Sequence, residues 1–153
     1  MDGERDGVIV RTLTAADAPR LVRIDQEITG RNRTEWYVGK LKRALVESDI
    51  RISLGAERDG ILVGAVLGSL QYGEFGVPEP VAVLDTVLVE PALRGQGIGD
   101  ALLDQLARNL NALGIRRVRT EVGWDEHELN RVLGRRGFVP APRLVLELAL
   151  PEP

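Results

Sequence analysis

The sequence lacks cysteine altogether and has a single histidine, His127, among its 153 residues. Without cysteine the chain can form no disulfide framework, no cysteine-ligated zinc site and no cysteine nucleophile. One histidine cannot supply a histidine-rich metal site. A catalytic serine triad is also disfavoured, because His127 would have to be its base. We therefore expect chemistry that uses neither a bound metal nor a thiol of the protein.

Long hydrophobic runs and an excess of one charge are also missing. No apolar run approaches the roughly 18 residues that span a bilayer, and the charged beginning, MDGERDG, lacks the apolar stretch of a signal peptide. The 20 basic and 23 acidic side chains give a net charge of -3, so no basic excess favours nucleic acid or a membrane surface. The sequence predicts a cytoplasmic protein without nucleic-acid or membrane partners.

The composition, 44% hydrophobic and 28% charged, is typical of a globular protein. The length suits one domain over residues 1–153 with a core at 8–150.

Hydrophobic periodicity, helix caps and turn residues predict the secondary-structure elements of this domain. In order we predict a strand at 8–13, helices at 14–30 and 34–46, strands at 51–58, 61–70 and 81–89, a helix at 98–113, a strand at 116–122, a helix at 125–136 and a strand at 143–150. This order, β-α-α-β-β-β-α-β-α-β, predicts an α+β fold whose mixed sheet carries helices on both faces.

A glycine-spaced loop joins the strand at 81–89 to the following helix and reads Arg94-Gly95-Gln96-Gly97-Ile98-Gly99. Alternate glycines leave the backbone uncovered, so several N–H groups can converge on one ligand at the positive end of the helix dipole. This arrangement suits a pyrophosphate, with the charge of Arg94 at its edge. For a bare loop of this kind, a helix start that needs glycine for close packing is an equally strong interpretation.

Two other phosphate-binding loops match poorly. A kinase-type P-loop ends in Gly-Lys-Ser/Thr, whereas Gly99 is followed by Asp100. A Rossmann loop follows its strand directly, whereas residues 90–93 intervene here and the third glycine falls one position early. Glu121 does lie about 20 residues downstream, where a ribose-binding acid belongs. A small dinucleotide-binding protein therefore stays as a weaker alternative.

The loop resembles motif A of the GNAT superfamily of acetyltransferases, whose pattern is Arg/Gln-x-x-Gly-x-Gly/Ala. Arg94, Gly97 and Gly99 match this pattern, and the preceding Val89-Glu90-Pro91 is also similar. The resemblance extends over residues 81–138, because the helix at 125–136 ends in Arg136-Gly137-Phe138, as GNAT domains typically do.

The resemblance implies acetyl-CoA as co-substrate. Its pyrophosphate would lie on the N–H groups of the loop, and its pantetheine arm would pair with strand 81–89. Its thioester would lie where this strand and strand 116–122 splay apart. A backbone N–H of Val87 or Leu88 would stabilise the oxyanion. The residues expected to bind the co-substrate are Val87, Leu88, Val89, Arg94, Gly95, Gln96, Gly97, Ile98, Gly99, Asp100 and Ala101.

Two carboxylates are candidate general bases. Deprotonating a lysine-like amine of pKa ~10.4 at pH 7 costs about 4.6 kcal/mol, against about 1.4 kcal/mol for an α-amine near ~8. Glu121 matches a glutamate that accepts the proton in the ribosomal-protein N-acetyltransferase branch of the family; alternatively, it is a surface acid paired with Arg119 or Arg117. Asp85 interrupts an apolar run and is expected to be buried, as a base, a ligand of the substrate ammonium or a structural acid.

The last helix departs from the family pattern. Many GNAT enzymes carry a tyrosine there as general acid for the departing thiolate, and this position is Leu133. The asparagine that usually contacts the cofactor maps to Glu126. His127, Tyr72 and Tyr37 are the replacement acids that the sequence offers.

We therefore expect an N-acetyltransferase that moves the acetyl group of acetyl-CoA to a small-molecule or peptide amine by direct attack in a ternary complex. A non-catalytic acyl-CoA or nucleotide sensor is the alternative, favoured by Leu133. By analogy with the family, residues 25–47 would shape the acceptor cleft, where Arg31 and Arg33 either hold an anionic acceptor or form an exposed linker. Trp124 would line this cleft or pack in the core, and a homodimer is the expected assembly if the chain is not a monomer.

Overall fold

The computed structural model describes residues 4–5, 7–46 and 52–153. Its strands and helices, in chain order, are β1 Glu4–Arg5, β2 Val8–Thr12, α1 Ala18–Thr29, α2 Thr34–Val46, β3 Leu54–Arg58, β4 Ile61–Gln71, β5 Val81–Val89, α3 Ile98–Ala112, β6 Val118–Thr120 and α4 His127–Arg135. Glu47 and Arg51, which the sequence analysis placed in the acceptor stretch and in a strand, lie outside the described residues. The described chain divides into two compact units, Met1–Glu121 and Val122–Pro153. The single domain expected from the length stays a prediction.

A six-stranded sheet in the order β1-β2-β3-β4-β5-β6 forms the first unit. Neighbouring strands are antiparallel as far as β5, whereas β5 and β6 are parallel. Parallel strands need a long crossover, which α3 provides between them. The mixed sheet confirms the predicted α+β class. Its antiparallel β4–β5 pair argues against the doubly wound parallel sheet of a dinucleotide-binding fold.

Local turn and cap signals in the sequence are confirmed. The backbone N–H of Thr14 donates to the Asp17 carboxylate at 2.8 Å, which forms the capping box ahead of α1. The helix ends at Gly30, whose φ of 74° is left-handed. Asp59 and Gly60 both have positive φ in the turn between β3 and β4, as a two-residue hairpin requires.

Helices cover both faces of this sheet, as predicted. Neighbouring residues of a strand point to opposite faces, and Gly64 and Ala65 of β4 show the two sides. Ala65 is fully buried in a cluster with residues of α1 and α2. A Cβ at Gly64 would lie 2.9 Å from Ile98 Cγ2, so the absence of a side chain lets α3 approach the other face. This contact fixes the start of α3, and the loop before it, against the centre of the sheet.

The second unit contains α4, and the strand predicted at 143–150 is absent from it. Residues 136–153 form no helix or strand in the described chain. The alternation of apolar residues there has strand character, but a strand needs a backbone partner, and a local pattern cannot supply one. The apolar side chains of this segment are consequently exposed by 64–87%: Leu144, Val145, Leu146, Leu148 and Leu150.

None of the described helices is both long enough and apolar enough to span a membrane.

Candidate active site

Strands β5 and β6 part in the middle of β5. Their register pairs Ala82 with Val118, Val83 with Arg119 and Leu84 with Thr120. Beyond the last pair β5 continues to Val89, where it pairs only with β4 in the described residues. The Thr120 hydroxyl donates to the Leu84 carbonyl at 2.9 Å and fixes the place where pairing ends. The second half of β5 thus presents a free backbone edge, to which an extended molecule can hydrogen-bond.

Two carboxylates follow the last pair directly, Asp85 on β5 and Glu121 after β6. The β4–β5 register steps from Leu67 opposite Thr86 to Gly68 opposite Leu84, so Asp85 has no partner residue on β4. This bulge re-aims its side chain. The expectation that Asp85 is buried is wrong, because 33% of its side chain is accessible. The structure thus brings both predicted bases to the point where the strands part.

The carboxylate of Asp85 has two partners. The Thr86 hydroxyl donates to Oδ1 at 2.9 Å, and the Nζ of Lys40 on α2 donates to Oδ2. The Lys40 side chain is only 19% exposed. Sequence reasoning missed Lys40, because no local pattern indicates that a helix residue will contact a strand residue 45 positions away.

The Glu121 side chain is exposed at the end of β6. The alternative role weighed for it, a surface ion pair with Arg117 or Arg119, has no support, since no ion pair joins these residues in the described chain. Its carboxylate is therefore accessible to a molecule that enters between the strands.

The glycine loop opens α3 in the predicted place. Gly95 and Gly97 have φ of 80° and 81°, a region that side chains with a Cβ rarely occupy. A Cβ at either position would meet nothing within 4 Å, so the loop borders open space. The first N–H groups of a helix have no carbonyl one turn behind them, which at α3 applies to Ile98 and Gly99. The N–H of Ala101, also predicted to contact the co-substrate, donates to the Gly97 carbonyl at 3.0 Å.

A second basic side chain reaches this loop. Nη1 of Arg58, at the end of β3, donates to Oε1 of Gln96 at 2.7 Å. Its Nε is buried and without a hydrogen-bond partner among the described residues. Sequence reasoning did not find Arg58; its place next to the Asp59-Gly60 turn was the available signal. The loop therefore combines backbone donors with a guanidinium, a combination that suits a phosphate group.

Glu90 anchors the strand end before the loop. The strand ends just before Glu90 and Pro91, as the proline predicts. Nη2 of Arg20 donates to the Glu90 carboxylate at 2.7 Å, and Nε of Arg20 donates to the Leu62 carbonyl at 2.8 Å. Arg20 thereby ties α1 to both β4 and the end of β5.

Comparison with known proteins decides the family. A model of the acetyltransferase (GNAT) family matches residues 13–138, which include the strand edge, both carboxylates and the glycine loop. The chain belongs to the GNAT acetyltransferase family. No curated protein matches it in sequence.

Several solved structures share the fold, two N-acetyltransferases among them. Aminoglycoside N-acetyltransferase AAC(6')-Iy in complex with CoA superposes with a TM-score of 0.77 at 16% identity, covering 97% of this chain and 99% of that chain. The ribosomal-protein-alanine N-acetyltransferase of Brucella melitensis biovar Abortus 2308 gives 0.74 at 20% identity, with 94% and 99% covered. A transcriptional regulator from Bacillus halodurans C-125 gives 0.76 at 20% identity, with the same coverages. At these identities the likeness concerns the fold.

In this GNAT chain the loop between α1 and α2 has a structural ion pair. Arg33 donates to both oxygens of Asp25, at 2.9 and 2.5 Å, and its guanidinium lies 5.0 Å from the centre of the Trp36 ring. Asp25 is 1% exposed, and its hydrogen bonds with Arg33 hold the pKa of its carboxyl below the usual range, against the opposing effect of burial. The guanidinium of Arg33 is therefore engaged in the ion pair with Asp25. Of the two arginines considered for binding an anionic acceptor, Arg31 is the exposed one.

The replacement acids occupy different environments. Tyr37 is fully buried, and burial raises the pKa of its phenol, helped by the nearby Asp25. Tyr72 is 66% exposed, and His127 is an exposed first residue of α4. Leu133, at the usual tyrosine position of GNAT enzymes, is 4% exposed.

The remaining residues of the second unit are also placed. Trp124 is 99% exposed, so the alternative that it packs in a core is wrong. Glu126, at the position of the family asparagine, accepts a hydrogen bond from the Gly123 N–H at 2.6 Å. This bond closes the turn that leads into α4.

Proposed function

We propose that the chain is an N-acetyltransferase that transfers the acetyl group of acetyl-CoA to a primary amine by direct attack in a ternary complex. One observation carries this proposal: β5 and β6 part after Leu84 and Thr120, and two carboxylates follow immediately. The gap between the strands leaves a backbone edge of β5 to which an extended molecule can bind. At the narrow end of the gap, Asp85 and Glu121 can accept a proton from an amine. The aminoglycoside and ribosomal-protein acetyltransferases of the same fold are consistent with an amine acceptor.

The residues at the loop suit the phosphates of acetyl-CoA. The N–H groups from Gly95 to Gly99 and the guanidinium of Arg58 would provide donors beside open space. The Ala101 amide is excluded from this set by its bond to Gly97. Next to the loop, the free edge of β5 at Val87, Leu88 and Val89 would pair with the pantetheine amides. Arg94, predicted at the edge of the site, stays a proposed contributor of charge.

The chemistry requires a neutral amine next to a polarised carbonyl. In our proposal Glu121 or Asp85 removes the amine proton, the nitrogen attacks the thioester carbon, and the carbon–sulfur bond breaks. A backbone N–H of Val87 or Leu88 stabilises the oxyanion. For a lysine-like acceptor, the base offsets the cost of deprotonating the amine, which is about 4.6 kcal/mol at pH 7.

Departure of the thiolate does not require an acid in this scheme. A thiol of pKa ~8.5 leaves unprotonated at pH 7 at a cost of roughly 2 kcal/mol. Leu133 at the usual tyrosine position is therefore compatible with turnover.

A non-catalytic acyl-CoA sensor is the second candidate. Leu133 favours it, and a chain described as a transcriptional regulator shares the fold at 20% identity. The two functions differ in turnover and not in co-substrate binding, so one experiment with two steps separates them.

The first step measures the thermal midpoint with acetyl-CoA, CoA and NAD. At one hundred times its Kd a ligand adds about 2.7 kcal/mol, which raises the midpoint by several degrees in a domain of this size. The second step measures CoA release with a panel of lysine-like and α-amines. Stabilisation by CoA with turnover supports the enzyme; stabilisation without turnover on any amine supports the sensor. Stabilisation by NAD alone contradicts both. The cytoplasmic location stays a prediction.

A further inference from the structure

Lysine is rare in this chain and occurs at one place. Of the 20 basic side chains only two are lysines, Lys40 and Lys42, and both are on α2. Lys42 is exposed. The Lys40 side chain is only 19% exposed and its Nζ donates to the carboxylate of Asp85. The two amines thus share a helix and differ in their surroundings.

The contact places the Lys40 amine at the parting of the two strands. Asp85 directly follows Leu84, the last β5 residue that pairs with β6, and stands at the bulge without a partner on β4. This is the place to which the proposed function assigns the acetyl thioester and the base. The primary amine of Lys40 therefore contacts Asp85, one of the two candidate bases.

Resting on that proposed function, we propose that Lys40 is an internal acetyl acceptor, which the chain modifies with its own acetyl-CoA. The Lys40 amine must lose a proton before it can attack, and the carboxylate of Asp85, in hydrogen-bond contact, can accept that proton. Proximity replaces a second-order reaction by a first-order one. Among the described residues, Lys42 has no carboxylate partner.

The step balances without any further reagent. A proton passes from the Lys40 ammonium to Asp85, and the Nζ lone pair forms a bond to the thioester carbonyl carbon. The carbon–sulfur bond breaks and its electron pair leaves with the CoA thiolate, which takes up the second proton that the nitrogen loses as it becomes an amide. The first proton passes from Asp85 to solvent. The products are Nε-acetyl-lysine and CoA. Acetylation removes the positive charge of Lys40 and so ends its ion pair with Asp85.

The test uses the full chain, isotopically labelled acetyl-CoA and no added amine. Cleavage after glutamate releases residues 36–47, a peptide that contains both lysines, and fragment spectra locate the label. We expect Lys40 to be labelled at least 10-fold faster than Lys42, with a rate that saturates in acetyl-CoA and does not depend on protein concentration. Lys40→Arg should leave Lys42 labelling unchanged, and Asp85→Asn should slow labelling at Lys40 at least 10-fold.

Equal labelling of the two lysines overturns the inference, as does a rate that rises linearly with acetyl-CoA, which marks uncatalysed acylation. A rate proportional to protein concentration also overturns it, since one molecule would then modify another. Midpoint measurements with CoA separate this failure from that of the proposed function. If CoA stabilises the chain and Lys40 stays unlabelled, only the internal acceptor is wrong. If CoA does not stabilise it, both proposals are wrong.

Discussion

Leu84 and Thr120 form the last pair between the parallel strands, and the Thr120 hydroxyl donates to the Leu84 carbonyl at 2.9 Å. The next residue on each strand is a carboxylate, Asp85 and Glu121. This pair therefore marks the position from which one strand edge becomes available and beside which an amine would meet a base.

Replacing Glu121 should expose its role as base. We expect Glu121→Gln to lower kcat/KM for a lysine-like amine about 100-fold at pH 7, in the range of general-base catalysis. The defect should shrink as the pH approaches ~10.4, where the amine loses its proton unaided. Initial rates of CoA release from pH 6.5 to 10 measure this, with the exposed Glu74→Gln as control. A defect that is independent of pH argues against a base, and a larger defect in Asp85→Asn assigns the role to Asp85.

Replacing a loop glycine should weaken co-substrate binding. At Gly97 the φ of 81° is strained for alanine, by about 1–2 kcal/mol, although open space surrounds the added Cβ. Relaxation of this strain turns the first amides of α3, so Gly97→Ala should weaken acetyl-CoA binding about 10-fold in calorimetry. Gly134→Ala is the control, because it adds a Cβ in open space at a position without positive φ. Equal affinities in the two variants would contradict a binding role of the loop.

Arg58 should contribute charge to the same site. Its contact with Gln96 places the guanidinium at the loop, so Arg58→Gln should raise the Kd for CoA about 10-fold and flatten its salt dependence, as expected when one cation facing phosphates is lost. Arg23→Gln on the exposed side of α1 makes the same change in net charge away from the loop. Should both variants bind alike, Arg58 has no direct part in binding.

The buried carboxylate of Asp25 should make stability depend on pH. Its folded-state pKa is lowered, chiefly by hydrogen bonds from Arg33, so its contribution is present above the unfolded pKa of ~3.9 and is lost as the pH falls through the folded value. We expect Asp25→Asn to cost about 1.5–3 kcal/mol at pH 7, the range for hydrogen bonds to charged groups. Urea denaturation at pH 7 and near pH 3 measures the difference. A cost that does not shrink at the lower pH would contradict the ionic origin.

Much of this architecture could be read from local signals. The apolar run at 81–89, the caps at Thr14 and Gly30 and the Asp59-Gly60 turn each act within a few residues, so the sequence predicts them with nearly the observed bounds. The contacts of Lys40 with Asp85 and of Arg58 with Gln96 join residues 45 and 38 positions apart. They depend on how helices and loops pack on the sheet, which periodicity does not encode. The bulge at Asp85 is likewise a matter of register between strands.

The absent last strand leads to a prediction about assembly. Leu144, Leu146, Leu148 and Leu150 alternate along 143–150 and are 79–87% exposed. Burial of one leucine side chain contributes about 1.5–3 kcal/mol of favourable free energy. A partner that covers this segment would therefore bind with a large favourable contribution from its leucines. β6 lies at the edge of the sheet, and an edge strand accepts a further strand from a second chain. We propose that a second copy of the chain covers the segment in a homodimer.

Sedimentation velocity checks this assembly with two variants. The double variant Leu146→Lys and Leu148→Lys places two charges on the alternating apolar face and should be a monomer at concentrations where the unmodified chain is a dimer. Its monomer stability should change little, because both side chains are exposed in the single chain. Glu147→Gln changes the opposite face of the same segment and should remain a dimer. A monomeric unmodified chain, or dimers in all three proteins, would show that the segment does not join two copies.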